Sequence, residues 1–526
     1  AEKMFRDIAS DASSPWNQVS RYLAVRTLVR KGLLDAAPDS PDTKRLATAE
    51  IELETILAND RLKTIHPSAR RLLGFVRFRL QPQQRLNELA HDLLHKNSGE
   101  TLKQDLWDYT ALLDRQHQQP GLDDLTDWIF TFQNDTGFDI NHALEKWRET
   151  KSPHWFVAVI AKIDGGRTDT ADILKTAATV DRTSPAYLTV LYHRIRILSE
   201  IGKKVEARKL LDEPFLRTRL KVPISAQNFF RTQRLALAQN LDEFLKNAPR
   251  TPALITTDET GREVPDNVKR QSAGSYLDDD AVQILNKALP LQLLKEASFS
   301  KTLPVHLRRE LILATWVRAV LLGNDSVALE LVPEIRRLIP EIGETIREYQ
   351  NVSDANARRL EAMLIMLKNP GTRPFIGTGL SRLTQLSRID NYRDNWWCPP
   401  AVVFGLGSVT SSSMFELSWK EVSTKAILPH NFPSFMSEPQ KGSARKEIST
   451  LMQFESAPNY LGKQVIDWAK KNPEHPRVPE ALHWVVRSTR YGCGDERTSA
   501  VSKEAFQLLH KNYPKNEWTK KTPYWF

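Results

Sequence analysis

Two consecutive segments between residues 152 and 213 repeat the same order of residue types. The first begins at Ser152-Pro153-His154-Trp155 and the second at Ser184-Pro185-Ala186-Tyr187, and each leads into an apolar stretch. Serine followed by proline is a common way to begin a helix, because serine can cap the first turn and proline has no N–H to leave unpaired there. This order predicts two helix–turn–helix units in tandem.

The turn within each unit is marked by a glycine and by an alanine five residues later. The pairs are Gly166 with Ala171, Gly202 with Ala207 and, in a third copy further along the chain, Gly323 with Ala328. Glycine can adopt the left-handed backbone conformation that ends a helix. Alanine one turn into the next helix lets two helix backbones approach closely. These positions are therefore predicted to be the structural turns of a helical repeat.

The combination resembles the tetratricopeptide repeat, whose unit is about 34 residues long. The resemblance is best over residues 152–213, and weaker copies occur at 305–340 and near the C-terminal end. It implies an all-α fold, a right-handed superhelix of antiparallel helix pairs in the manner of an α-solenoid. Solenoids of this type present a long concave surface and often hold other proteins together. The resemblance carries over the architecture only, and no binding residue.

A chain of 526 residues is too long for one compact core, so several domains or an extended array are expected. Glycine is scarce, which favours helices over a loop-rich fold. The helices are predicted to continue to the C-terminal end, where Lys471-Asn472-Pro473 and Asn512-Tyr513-Pro514 share a helix-ending pattern. The predicted parts are a helical solenoid at 1–247, a linker or long loop at 248–276, a second helical array at 277–368, an irregular or short-strand insertion at 369–440, and helical repeats with an aromatic tail at 441–526.

The charge balance favours a mixed, solvated surface. The chain has 74 Lys and Arg against 64 Asp and Glu, a formal net charge of +10. Nucleic acid is a disfavoured partner, and an anionic cell-wall polymer stays open as a ligand. The chain has no run of about 18 apolar residues, so the sequence predicts no membrane span.

The first residues, Ala1-Glu2-Lys3, are typical of a chain from which a signal peptide has been removed. Export to a bacterial periplasm or cell envelope is therefore expected, with the cytoplasm as the alternative. The chain has two cysteines, Cys398 and Cys493. In an oxidising compartment they are expected to form one disulfide between the insertion and the C-terminal helices.

Motifs for catalysis, cofactors and metals are weak. His91 and His95 have the spacing of a zinc-protease helix, but Asp92 stands where that motif needs glutamate. The glycines between 371 and 407 lack the rest of a phosphate-binding loop. Cys493 has Arg490 nearby, but a glycine-flanked cysteine is typical of a turn or a disulfide. No catalytic, cofactor-binding or metal-binding residue is predicted.

Aromatic residues lie close to basic residues in two stretches of the sequence, at 396–397 and at 518–526. The predicted contacts with a partner are Trp396, Trp397, Trp518, Tyr524, Trp525 and Phe526. The function expected from these features is a non-enzymatic scaffold subunit that binds other proteins within an exported, multi-subunit assembly. The alternative is an enzyme that acts on cell-wall polysaccharide, similar to a lytic transglycosylase with a helical platform. A third hypothesis is a basic adaptor that binds RNA.

Overall fold

The chain is almost entirely α-helical wherever its structure is described, and successive helices pack against each other as in an α-solenoid. The structure is a computed structural model that describes residues 1–34, 42–95, 101–115, 123–133, 139–212, 222–253, 255–257, 263–265, 274–379, 385–389, 395–398 and 432–526. The predicted all-α class is confirmed. The chain forms two compact units, Ala1–Ile197 and Leu198–Phe526.

The first unit consists of helices that follow one another closely. Their bounds are α1 Glu2–Ser10, α2 Asn17–Leu34, α3 Thr43–Ala58, α4 His66–Leu80, α5 Pro82–His95, α6 Leu102–Leu113, α7 Asp124–Gln133, α8 Asp139–Thr150, α9 Pro153–Lys162, α10 Thr170–Thr179 and α11 Tyr187–Glu200, the last of which continues into the second unit. One short 3-10 helix, Asp60–Ile65, precedes α4. One core lies between α2, α3 and α4, and another surrounds the fully buried Trp155 of α9.

In its described residues the second unit contains further helices and four short strands. The helices are α12 Lys204–Leu211, α13 Ile224–Ala236, α14 Leu241–Asn247, α15 Asp279–Gln283, α16 Leu291–Phe299, α17 Val305–Leu321, α18 Asp325–Leu338, α19 Gly343–Asn351, α20 Ala355–Lys368, α21 Glu438–Leu451, α22 Ala457–Lys471, α23 Val478–Tyr491, α24 Thr498–Asn512 and α25 Glu517–Lys520. A π-helical turn spans Ile284–Ala288, and a 3-10 turn spans Pro340–Ile342. The largest core runs from α17 to α20 and on through α22, α23 and α24.

Two of the predicted turn glycines end their helices in the same way. Gly202 has φ of 80° and Gly323 has φ of 71°. After each glycine, the next N–H donates to a carbonyl five residues back, Lys203 to Leu198 at 2.8 Å and Asn324 to Ala319 at 2.8 Å. This is the Schellman arrangement, which satisfies carbonyls that the helix leaves unpaired. The alanines that follow, Ala207 and Ala328, are both fully buried.

Replacing Gly202 or Gly323 by alanine should destabilise the protein by about 1 to 2 kcal/mol each, because an L-residue is strained at positive φ. Nothing lies within 4 Å of a Cβ built at either position, so the loss would come from the backbone alone. Gly442, an exposed glycine within α21, has equally open space and is the matched control. Gly442→Ala should stabilise by about 0.5 to 1 kcal/mol in the same urea titration. A gain of stability at all three positions would contradict this account.

The turn at Gly166 differs from the pattern. Its N–H donates to Asp164 Oδ1 at 2.8 Å, and its backbone is not in the left-handed region. Helix α10 begins at Thr170, so Ala171 falls in the first turn and is exposed, while Thr170 is buried in its place. Gly166 and Ala171 therefore do not have the geometry predicted for them, because the Asp164 side chain closes this turn.

Proline ends several helices in one conformation. The residue before proline takes φ between −126° and −138° and ψ between 48° and 80° at five helix ends, namely Gln81, Ile339, Asn369, Asn472 and Tyr513. A following proline disfavours the α region for the residue that precedes it, so the helix stops there. The two helix ends that share a pattern in the sequence, at Asn472 and Tyr513, belong to this group.

Residues 248–276, predicted as a linker or long loop, contain short strands that pair within the second unit. The strands are β1 Pro249–Arg250, β2 Ile255–Thr257, β3 Glu263–Pro265 and β4 Tyr276–Leu277, and β1 pairs with β4 and β2 with β3, both antiparallel. Arg250 is fully buried beside β4 and forms an ion pair with Asp280 at 2.5 Å. The division between the two compact units falls between Ile197 and Leu198. Strands of two or three residues are too short to leave an alternating pattern in the sequence.

Candidate binding surface at the C-terminal end

The last residues of the chain lie across helices α23 and α24. Asn516 caps α25 by accepting a hydrogen bond from the Trp518 N–H at 3.0 Å. After α25 the chain runs without helix from Lys521 to Phe526. We call this segment, residues 521–526, the tail.

The tail is fixed to the chain's own helices. Thr522 is buried, its hydroxyl accepts from His483 Nδ1 at 2.7 Å, and its carbonyl accepts from His510 Nε2 at 2.7 Å. The same hydroxyl donates to the Trp518 carbonyl at 2.8 Å, and the Phe526 N–H donates to Ser502 Oγ at 3.1 Å. These hydrogen bonds fix the backbone of the tail at both ends, and its side chains are in contact with other rings, Tyr524 with Phe526 at 5.2 Å and Trp525 with Phe506 at 5.1 Å.

The tail leaves some of its aromatic rings at the surface. Tyr524 is 53% exposed and Trp525 is 42% exposed, and Tyr491 at the end of α23 is 39% exposed. Trp518 and Phe526, by contrast, are partly buried against the large core of the second unit. Of the four tail-region aromatics predicted as partner contacts, two are therefore presented to solvent and two mainly anchor the tail.

Cations lie beside two of these exposed rings, Arg490 beside Tyr491 and Lys503 beside Trp525. The Arg490 guanidinium lies 4.7 Å from the Tyr491 ring centroid and 5.1 Å from that of Phe526. A small cleft of about 90 Å³ beside the tail is lined by Arg487, Arg490 and Lys521 together with Tyr491, Tyr524 and Phe526. We define the C-terminal surface as Arg487, Arg490, Tyr491, Lys521, Tyr524 and Trp525. Aromatic residues and arginine together are the residue types most enriched at protein-binding hot spots.

The protonation of His483 reports on this positively charged environment. Burial lowers the pKa of His483, and the nearby charges of Arg487 and Lys521 lower it further, to about 4. Glu480 acts in the opposite direction with a smaller effect. The imidazole is therefore neutral at physiological pH, and it donates to Thr522 without carrying a charge.

Because the folded-state pKa of His483 lies below its ordinary value, its contribution to stability is complete above pH 6.5 and is lost as the pH falls through about 4. We expect the second unit to lose on the order of 2 kcal/mol between pH 7 and pH 5 through this group. His483→Gln keeps a donor for Thr522 and does not titrate. The wild type should therefore lose more stability than the variant between these two pH values in urea titrations. Equal losses would show that His483 is not the responsible group.

Trp396 and Trp397 lie in the core rather than at a partner surface. Trp396 is 0% exposed and Trp397 is 2% exposed, and both belong to the large core of the second unit. Trp396 Nε1 donates to the Met366 carbonyl at 3.2 Å, and the Trp397 carbonyl accepts from the Ala457 N–H at 2.9 Å. The prediction that these two rings contact a partner is thus corrected, since both rings pack against helices of the same unit.

Cys398 follows these tryptophans directly and is joined to Cys493 in the structure, with 4.9 Å between the Cα atoms. Cys493 lies in the turn between α23 and α24, two residues after Tyr491. Segment 395–398 of the insertion is thereby fastened beside the C-terminal surface. Between 369 and 437 the described residues contain no helix, and residues 399–431 of the predicted insertion lie outside the described part of the chain.

The first unit contains a polar cluster for which the sequence gives no recognisable motif. Trp155 Nε1 and His154 Nε2 donate to the two oxygens of Asp124, at 2.9 and 2.8 Å. His142 Nε2 donates to Asp127 at 2.9 Å, and its ring meets the Trp155 ring edge-on at 5.6 Å. Burial acts to raise the pKa of Asp124, but hydrogen bonds from Trp155 and His154 outweigh it and lower that pKa. These hydrogen bonds to the carboxylates of Asp124 and Asp127 join α7 to both α8 and α9.

A larger cleft of about 790 Å³ lies in the second unit between α12, α13 and α14. Its carboxylates are each engaged by a neighbour: Asp212 accepts from Arg234 at 2.9 Å, Glu243 accepts from Arg208 at 2.8 Å, and Asp242 accepts from the hydroxyl of Thr302. Among the described residues there is no group of three or more histidine, cysteine or acidic side chains able to hold a metal ion.

Comparisons with known proteins give no relative for this chain. No protein family, no curated protein and no solved structure matches it. In the part of the chain that the structure describes, none of the helices combines the length and the apolar composition needed to cross a membrane.

Proposed function

We propose that this protein is a non-enzymatic scaffold subunit, a tetratricopeptide-like α-solenoid that binds another protein through its C-terminal surface. The observation that carries the proposal is the presentation of Tyr524 and Trp525 on a tail held by hydrogen bonds at both of its ends. Exposed aromatic rings that lie together beside arginines are typical of protein-binding surfaces. A surface whose rings are already held in place loses little conformational entropy when a partner binds.

The arginines support the same proposal. Arg487 and Arg490 are exposed, and they lie against aromatic rings rather than extending freely into solvent. Arginine stacked on an aromatic face keeps its planar donors available for a partner's acceptors. Export into a bacterial periplasmic or envelope assembly is part of the proposal, and the disulfide is the feature that favours it. Recovery of the protein from the cytoplasmic fraction alone would remove export from the proposal.

The test is photo-crosslinking at single positions in the cells that make the protein. A photoreactive amino acid at Tyr524 or Trp525 should give an adduct with one specific protein. The control position is Lys175, a strongly exposed residue of α10 in the first unit, which should give no such adduct. The same adduct from all three positions, or none from Tyr524 and Trp525, would contradict the proposal.

A further inference from the structure

We propose that the small cleft of the C-terminal surface binds a carboxylate side chain from an acidic segment of the partner protein. The inference rests on the proposed function, and it adds the chemistry of the partner. The cleft lies beside the tail, between α23 and residues 521–526, and its lining residues include Arg487, Arg490 and Lys521.

The charge of the cleft is one-sided. None of the side chains that line it is acidic. Lys521 forms an ion pair with Glu517 at 3.3 Å, but both side chains are mostly exposed, so the attraction is weak and screened. Glu480, the acidic residue that influences the neighbouring His483, is buried and already paired with Lys368 at 2.6 Å and Arg477 at 3.1 Å. The positive charge of the two arginines is thus left for a ligand from outside.

The shape of the cleft sets the size of that ligand. The cleft has a volume of about 90 Å³, which is sufficient for a carboxylate group. A guanidinium offers two parallel donors that match the two oxygens of a carboxylate. The rings of Tyr491 and Phe526 flank the Arg490 guanidinium and orient it before a ligand arrives.

The surroundings favour a protein over a nucleic acid as the source of the anion. Binding to a phosphate backbone draws on many cations along a track, and each contact contributes a similar share. Two cations on neighbouring segments are already paired, Lys470 of α22 with Glu504 at 2.6 Å and Arg497 with Glu455 at 2.7 Å. The exposed rings of Tyr524, Trp525 and Tyr491 provide apolar contact area of the kind found at protein interfaces.

The experiment measures fluorescence anisotropy of a labelled short peptide of alternating glutamate and phenylalanine with the full-length protein. The same peptide with glutamine in place of glutamate is the ligand control. The double variant Arg487→Gln with Arg490→Gln removes the cleft cations. The double variant Lys511→Gln with Lys515→Gln, at exposed lysines of the same end of the molecule, changes the net charge equally and is the protein control.

We expect replacement of Arg487 and Arg490 by glutamine to weaken binding of the acidic peptide by roughly tenfold or more, and the glutamine peptide to bind the wild type more weakly by a similar factor. The control variant at Lys511 and Lys515 should weaken binding by less than about threefold. The variant Arg487→Lys with Arg490→Lys keeps the charge but not the paired donors, and it should fall between. If the variant with Arg487→Gln and Arg490→Gln fails to fold, the variant with lysine at both positions and the comparison of the two peptides still test the proposal. Equal weakening by the changes at Arg487 and Arg490 and by those at Lys511 and Lys515 would overturn the proposal, and so would equal binding of the two peptides.

Competition separates the sources of the anion. The unlabelled acidic peptide should displace the labelled one at lower concentration than a single-stranded oligonucleotide of equal net charge does, and the reverse order would overturn the assignment of a carboxylate ligand. The two proposals fail separately. If the crosslink at Tyr524 forms but the acidic peptide does not bind the cleft, only the carboxylate inference falls. If no crosslink forms at Tyr524 or Trp525, the proposed function falls.

Discussion

Replacement of Arg318 by leucine should destabilise the second unit by roughly 3 to 5 kcal/mol, one of the two largest effects that we expect from changes in this chain. Arg318 lies on α17 and is almost fully buried. Its Nε donates to the Pro374 carbonyl at 2.6 Å and its Nη2 donates to the Asn286 carbonyl at 2.8 Å. One side chain thus joins α17, the π-helical turn and the beginning of the insertion.

The side-chain amide of Asn286 extends this hydrogen-bond network from Arg318 to the backbone of Ile376. Asn286 donates to the Ile376 carbonyl at 2.9 Å and accepts from the Ile376 N–H at 3.0 Å. Burial lowers the pKa of Arg318 to about 10, so the guanidinium stays charged at neutral pH. Leucine would remove a buried charge, which by itself helps folding, but it would leave the Pro374 and Asn286 carbonyls buried without a donor. We expect the second effect to dominate, because those carbonyls belong to the backbone and cannot be removed with the arginine.

Urea titration of Arg318→Leu, followed by far-ultraviolet circular dichroism, measures this loss. Arg336→Leu on the adjacent helix α18 is the matched control, since Arg336 is exposed and the same change there should alter stability by less than about 0.5 kcal/mol. Limited proteolysis should also cleave the Arg318 variant faster between residues 369 and 398. A loss below about 1 kcal/mol would show that Arg318 does not hold the insertion.

The second large effect is expected from the cysteines. Changing both Cys398 and Cys493 to serine should reduce the stability of the second unit by about 4 to 5 kcal/mol, because the disulfide closes a loop of 95 residues in the unfolded chain. Reduction of the wild type should produce the same loss, and it serves as the control for any effect of the serines themselves. The loss should be confined to the second unit, since both cysteines lie in it.

Thiol labelling under denaturing conditions decides first whether the pairing exists in the isolated protein. No thiol should react before reduction and two should react after it. If two thiols react without reduction, the disulfide is absent from the isolated protein. Reduction should then leave its stability unchanged.

The sequence predicts the local structure well where one residue type has one physical role. Gly202 and Gly323 have no side chain to strain a left-handed turn, and a proline after Asn472 or Tyr513 stops a helix regardless of its surroundings. Gly166 shows the limit of this reasoning. The N–H of Gly166 donates to the side chain of Asp164, so the same spacing of glycine and alanine produces a different turn.

The candidate surface could be predicted only in part. An aromatic and basic tail is visible in the sequence, and Tyr524 and Trp525 are exposed as expected for a binding surface. The sequence does not show that Trp396 and Trp397 differ from Tyr524 and Trp525 in being buried. A tryptophan with polar neighbours in the sequence can lie either in the core or at the surface. The cleft beside the tail depends on Arg487 and Arg490 of α23 meeting residues 521–526, a contact across more than thirty residues that no local pattern records.

The central claim, that the C-terminal surface binds a specific protein, is tested most directly by affinity capture from the cells that make the protein, with mass spectrometry of what is recovered. The wild type is compared with a variant carrying Tyr524→Ser and Trp525→Ser, and with Trp107→Ser as control, since Trp107 in the first unit is 60% exposed. We predict that one protein is recovered in stoichiometric amount with the wild type and the Trp107 variant and is lost with the tail variant. Recovery of the same protein with all three, or of no protein with the wild type, would contradict the account.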